Sequence, residues 1–172
     1  HNVDILSNVD LARFYTLDEK VMCAGCGVPH LMTGARLLVS WRKTRRYLVF
    51  NKDMRLVGWV NVETGEIKTP YDEVRAELET VAYPYTVGDT PKPITEHLLI
   101  YAFSGIHVFY PRMFPLMDGC PEKFPILDFY LNNCKNIPVQ GVVKAGLQLM
   151  DVGKLDTLHD ADAFLQRLKQ NI

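Results

Sequence analysis

The stretch LLIYAFSGIHVFY at 98–110 does most to constrain how this chain can fold. It is apolar almost throughout and rich in the β-branched and aromatic residues that favour strands. Gly105 falls inside it, so the expected element is a long strand with a bend or a close backbone approach at the glycine. A buried strand cannot leave its N–H and C=O groups unpaired, so it needs neighbours. Runs of similar character lie at 36–41, 47–51 and 55–61. The linker Asn51-Lys52-Asp53-Met54 and the turn Glu63-Thr64-Gly65-Glu66 join successive runs as hairpins. A further strand pair is expected near 139–145 and 147–151.

Helical patterns alternate with these strands. Asn8 or Asp10 can cap a helix over 9–17, where Leu11, Phe14 and Tyr15 share a face. A helical turn is expected to run to Gly34, and helices are expected at 71–80, 111–118, 124–135 and 154–170. The last of these carries Leu155, Leu158, Ala161, Phe164, Leu165 and Leu168 on one side. Residues 69–97, with Pro70, Pro84, Pro91 and Pro93, read as an excursion or lid beyond their helix. There are no internal repeats. The class is α/β, in one domain over 1–172.

Composition narrows the function. A formal net charge of −1 argues against a general nucleic-acid binder, which would show a basic stripe. The tightest basic run, Arg42-Lys43-Thr44-Arg45-Arg46, is local and suits phosphate groups on a small ligand. No run approaches the ~18 apolar residues that cross a bilayer. Four cysteines are too few and too unevenly spaced for a secreted disulfide framework, so a reducing cytoplasm is the expected setting. The chain opens directly on strand-like sequence without a methionine, which reads as the carboxyl-terminal portion of a longer fold.

Two aspartates stand at strand ends. Asp4, in HNVDIL, is placed at the carboxyl edge of a sheet, where open α/β sheets bind ligands. Asp151, in Leu149-Met150-Asp151-Val152-Gly153-Lys154, closes a strand before a tight turn and a helix. Either can be merely a turn former or helix cap. Together they suit magnesium, which takes one or two carboxylates with phosphate oxygens and water. Gly105 lets a ligand approach the backbone, or marks a bulge in a core strand. Asp128, early in a helix, favours the helix dipole. Cys23, Cys26 and His30 invite a zinc or redox reading. A structural zinc needs four ligands, however, and neither Cys120 nor Cys134, one of which would have to complete the set, has a second partner at ligand spacing. His107 reads as a core histidine with a satisfied partner, and Trp41 and Trp59 as packing residues.

The order of these motifs resembles the bacterial sugar-1-phosphate nucleotidyltransferases. The residues that carry the likeness are Asn2-Val3-Asp4, then Arg42-Lys43-Thr44 with Arg46-Tyr47-Leu48-Val49-Phe50, then Leu56, Gly58-Trp59 and Asn61. Phe103-Ser104-Gly105-Ile106-His107-Val108 and Asp151-Val152-Gly153-Lys154 complete it. The nearest likeness is to the N-acetylmuramate-1-phosphate uridylyltransferase and mannose-1-phosphate guanylyltransferase-like group. The resemblance implies a Rossmann-like nucleotide-diphospho-sugar transferase fold, a mixed sheet flanked by helices with its amino-terminal strands and glycine-rich loop missing. It implies that Asp4 and Asp151 are catalytic and hold Mg2+, that Gly105 and Asn61 meet the sugar side, and that Asn2 lies beside the nucleotide. The implied substrates are a nucleoside triphosphate and a sugar-1-phosphate, for cell-wall or polysaccharide precursors.

No glycine-rich run followed by arginine, threonine and lysine occurs in the 172 residues. The chain by itself is therefore expected to be inactive, because that run cradles the triphosphate. The competing readings are a non-catalytic nucleotide-sugar or partner-binding domain of the same fold, and a metal-dependent glycosyltransferase. Two metal ligands should sit within about 8 Å across a cleft, allowing for a bridging water. Two turn formers should instead bond only to their own following turns.

Overall fold

A computed structural model describes residues 5–16, 33–88, 93–153 and 155–170. Its centre is β6 (Leu99–Phe109), whose even-numbered residues are buried from Ile100 to Val108. Around it a mixed six-stranded sheet is built from β2 (Ala35–Ser40), β3 (Arg46–Phe50), β4 (Leu56–Asn61), β5 (Ile67–Lys68) and β7 (Val139–Val143). The order is β5-β4-β3-β6-β2-β7. Every neighbouring pair is antiparallel except β2 and β7, which run parallel. Both expected hairpins, β3–β4 and β4–β5, are present.

β6 is bulged at the expected glycine. Leu37 pairs with His107 and Val39 with Phe103, so β6 carries more residues than β2 across this stretch. Gly105 has φ 80°, which a residue without a Cβ adopts at no steric cost. Ser104 satisfies the loosened backbone: its hydroxyl donates to the Leu38 carbonyl at 2.7 Å and accepts the Ile106 N–H at 3.1 Å. A bulge bends a strand. The β3–β4 tip reaches the outer edge of β7, where the Gly141 N–H donates to the Met54 carbonyl at 2.8 Å.

Three apolar clusters hold the sheet. On one face Leu37, Val39, Leu48 and Phe50 pack beneath α3 (Ile126–Asn133), through Phe129, Tyr130 and Leu131, and beneath Met113. The alternating residues turn to the other face by the two-residue period of a strand. There α2 (Asp72–Glu79) covers Tyr47, Val49 and Ile100 with Val74 and Leu78. Beside it α1 (Leu11–Thr16) covers Leu38, Ile106 and Val108 with Phe14. A separate antiparallel pair, β1 (Ile5–Ser7) and β8 (Leu149–Asp151), accompanies α1 and contacts α4 (Leu155–Gln170).

Several expectations need correction. The runs near 139–145 and 147–151 are strands but do not pair with each other: β7 joins β2 and β8 joins β1. The helix expected at 111–118 is a 3-10 helix, Pro111–Met117, because Pro115 has no N–H for an α-helical bond. The expected lid beyond that helix, up to 97, buries Val87 and Ile94 in the second cluster, so its described residues cover the sheet. On α4 Phe164 is buried but Leu165 is exposed, so the apolar side is narrower than its pattern suggests. The loop and turn expected between 17 and 32 lie outside the described residues, with Cys23, Cys26 and His30. Among the described residues no helix is long and apolar enough to cross a membrane.

Candidate functional site

β1 and β8 are too short to stand alone, and side chains lock them. Asn8 donates from Nδ2 to the Gly146 carbonyl at 2.9 Å and accepts the Gln148 N–H at 3.0 Å. Asp10 then caps α1, its Oδ1 accepting the Arg13 N–H at 2.9 Å. Buried Arg36 of β2 reaches up to the Phe14 carbonyl at 3.2 Å, with its guanidinium 5.8 Å from the Phe14 ring centroid. Val9 and Leu149 pack on the cluster that contains Ile106. Leu149 of β8 and Ile106, the residue after Gly105, therefore belong to one cluster on one side of the six-stranded sheet.

Asp151 ends β8 opposite Ile5. Its carboxylate is exposed, and Oδ1 accepts the Gly153 N–H at 3.0 Å, the bond expected of a turn former. The second oxygen leaves capacity for a cation. Among the described residues no three His, Cys, Asp or Glu side chains converge on a common point. Magnesium does not require three, since phosphate oxygens and water complete its shell. Asp4 and Asn2 lie outside the described residues, and so does the separation of the two aspartates.

Asn61 stands at the end of β4, where its Oδ1 accepts the N–H groups of Glu63 at 3.0 Å and Thr64 at 3.4 Å. That acceptor closes the β4–β5 turn, leaving the carboxamide nitrogen as the side chain's other polar group. Asp128 lies in the first turn of α3 and pairs with Lys68 at 3.2 Å. The two border a surface pocket of about 460 Å³ with Thr69, Arg75, Leu131 and Asn132, which holds neither Asp151 nor Gly105. Trp41 and Trp59 pack against the second and first clusters.

His107 has the partner expected of a core histidine: its Nδ1 is hydrogen-bonded to the hydroxyl of fully buried Tyr130. Burial lowers the pKa of His107 and raises that of Tyr130. Burial also pushes the Cys134 thiol up to about 11, which keeps it protonated at neutral pH. Sequence reasoning passed over Tyr47, fully buried, whose hydroxyl organises the basic loop ahead of it. Its place one residue after a run of cations was the available signal.

Comparison with protein-family models, with curated proteins and with solved structures found no match to this chain.

Proposed function

We propose that this chain supplies the metal and sugar side of a sugar-1-phosphate nucleotidyltransferase domain of the Rossmann-like class. In that reading Asp4 and Asp151 hold a Mg2+ ion, Gly105 opens the backbone to the sugar, Asn2 lies by the nucleotide and Asn61 at the rim of the substrate pocket. One observation carries it. β1 and β8 are antiparallel neighbours with Ile5 opposite Asp151, and Asp4 is the residue that precedes Ile5 in sequence. Asp151 thus ends one of two adjacent strands, and Asp4 is the neighbour in sequence of the residue opposite it, a proximity that two unrelated turn formers would not need. The bulge at Gly105, which precedes Ile106 of the cluster that Leu149 joins, is the second support.

The reaction is attack of a sugar-1-phosphate oxygen on the α-phosphorus of a nucleoside triphosphate, with pyrophosphate leaving. The attacking oxygen is already anionic, so these residues need no general base. Their work is to orient the two substrates and concentrate positive charge between them. Magnesium, when bound, supplies charge neutralisation at the phosphates. A second reading is a non-catalytic binding domain of the same class.

Manganese(II), read by water-proton relaxation, tests the metal assignment. We expect one site on the chain, weakened about tenfold or more by Asp4→Asn and by Asp151→Asn, since each removes a charged ligand. Affinity unchanged by both substitutions would overturn it. The 172 residues alone are expected to release no pyrophosphate from any nucleoside triphosphate and sugar-1-phosphate; release above background would overturn both that expectation and the non-catalytic reading.

A further inference from the structure

The connection from β2 to β3 carries Arg42, Lys43, Arg45 and Arg46, all exposed. Like charges this close repel, and such a run ordinarily spreads into solvent. Here it is held. The Tyr47 ring is fully buried beneath it, and its hydroxyl donates to the Arg42 carbonyl at 3.2 Å and accepts the Thr44 N–H at 2.9 Å. The Thr44 hydroxyl in turn accepts the Arg46 N–H at 3.4 Å. Arg42 also reaches across to β6, where Nη2 donates to the Phe103 carbonyl at 3.0 Å. That bond uses one of the five donors of a guanidinium. Glu63 answers Arg45 at 3.3 Å, at the edge of the loop away from Phe103.

The loop's position gives the charge a purpose. Phe103 lies two residues before Gly105, at most about 7 Å along a strand. A sugar ring together with a phosphate on one of its carbons spans a comparable distance from end to end. We infer that the 42–46 loop recognises a phosphate group, with Arg42 and Arg46 as donors. On the nucleotidyltransferase reading, on which this last step rests, that group is the phosphate of the sugar-1-phosphate whose sugar lies against Gly105. Guanidinium forks match phosphate oxygens in pairs, and a loop fixed in advance loses little freedom on binding. A nucleic-acid backbone is a poorer fit, since the cations occupy one short loop on a chain of net charge −1.

The test is titration of the 172-residue chain at low ionic strength with inorganic phosphate, with a hexose-1-phosphate and with the free hexose, followed by amide NMR shifts. We expect inorganic phosphate to move the amides of 42–46, and Arg42→Ala and Arg46→Ala each to weaken it about tenfold. Arg46→Lys should restore part of the loss. Tyr47→Phe, which keeps every charge but releases the loop, should weaken phosphate as well, with the melting temperature read alongside. No shift with either phosphate compound, or affinity indifferent to both alanine substitutions, would overturn the assignment. Phosphate seated on the loop with hexose-1-phosphate binding no tighter would keep the loop's role and sink the sugar at Gly105.

Discussion

His107 and Tyr130 show how one buried pair ties a helix to a sheet. The phenol of α3 and Nδ1 of β6 share a hydrogen bond, and burial holds both groups uncharged at neutral pH. The hydroxyl then donates to Nδ1, which puts the ring proton on Nε2. The folded-state pKa of His107 is lowered, so an unfolded chain takes a proton near pH 6.5 that the folded chain refuses. The pair's contribution is therefore complete above about pH 6.5 and falls as the pH drops below it. Urea melts between pH 5 and 8 should show this decline, and His107→Gln should flatten it; parallel profiles would mean that His107 titrates alike folded and unfolded. Tyr130→Phe strands Nδ1 without a partner and should cost about 1–3 kcal/mol in the same melts at neutral pH. The apolar surroundings of His107 made its core position legible in the sequence. Its partner was not, because Tyr130 lies on another element and no local spacing links them.

At the scale of elements, strands and hairpins were legible because period-two burial and turn residues are local signals, as in β6 and the β3–β4 hairpin. The partner of β8 was not: a three-residue strand carries no register information, and its neighbour lies at the other end of the chain. Nor was the cover formed by the described residues between 81 and 97, since Val87 and Ile94 are isolated apolar residues in a proline-bearing stretch. That cover is fastened by Glu77 of α2, which accepts hydrogen bonds from the Thr95 hydroxyl and, at 3.3 Å, from the His97 N–H. Burial acts to raise the Glu77 pKa, but these bonds and the neighbouring His97 outweigh it and the net shift is downward. A carboxyl with a lowered folded pKa stabilises above its ordinary range, and that stability is lost as the pH falls through the folded value. Glu77→Gln should thus lower the melting temperature at pH 7, and the deficit should vanish toward pH 3; a deficit equal at both would assign Glu77 a packing role alone. Gly141→Ala tests the opposite edge. Its Cβ would stand 2.7 Å from Phe50 Cε1 and 2.9 Å from Met54 Cε, prising the hairpin tip from β7. Overpacking of this kind costs about 1–3 kcal/mol, measurable as a lower urea midpoint.

At the scale of the whole molecule, the described residues of the three clusters do not share the load equally. The first two bury long aliphatic and aromatic sets from β2, β3, β4 and β6 against α3 and against α2 with its cover. The third rests on Phe14, Leu38, Ile106 and Val108, and the strands it accompanies are three residues each. Cooperative units with little buried apolar surface open first. Amides of Leu6 and Met150 should therefore exchange with solvent well before those of Leu48 and Ile100, in native-state hydrogen exchange. This is also the part to which the proposed metal site belongs. A ligand that binds only the ordered form stabilises it by about 2.7 kcal/mol at a hundredfold excess over its dissociation constant. Saturating manganese(II) should then slow exchange at Leu6 and Met150, leave Leu48 and Ile100 unchanged, and lose this effect in Asp151→Asn. Exchange at β1 and β8 that is indifferent to the metal would detach these strands from cation binding. Asp151 would then be left with the one role that its bond to Gly153 already describes, that of closing a turn.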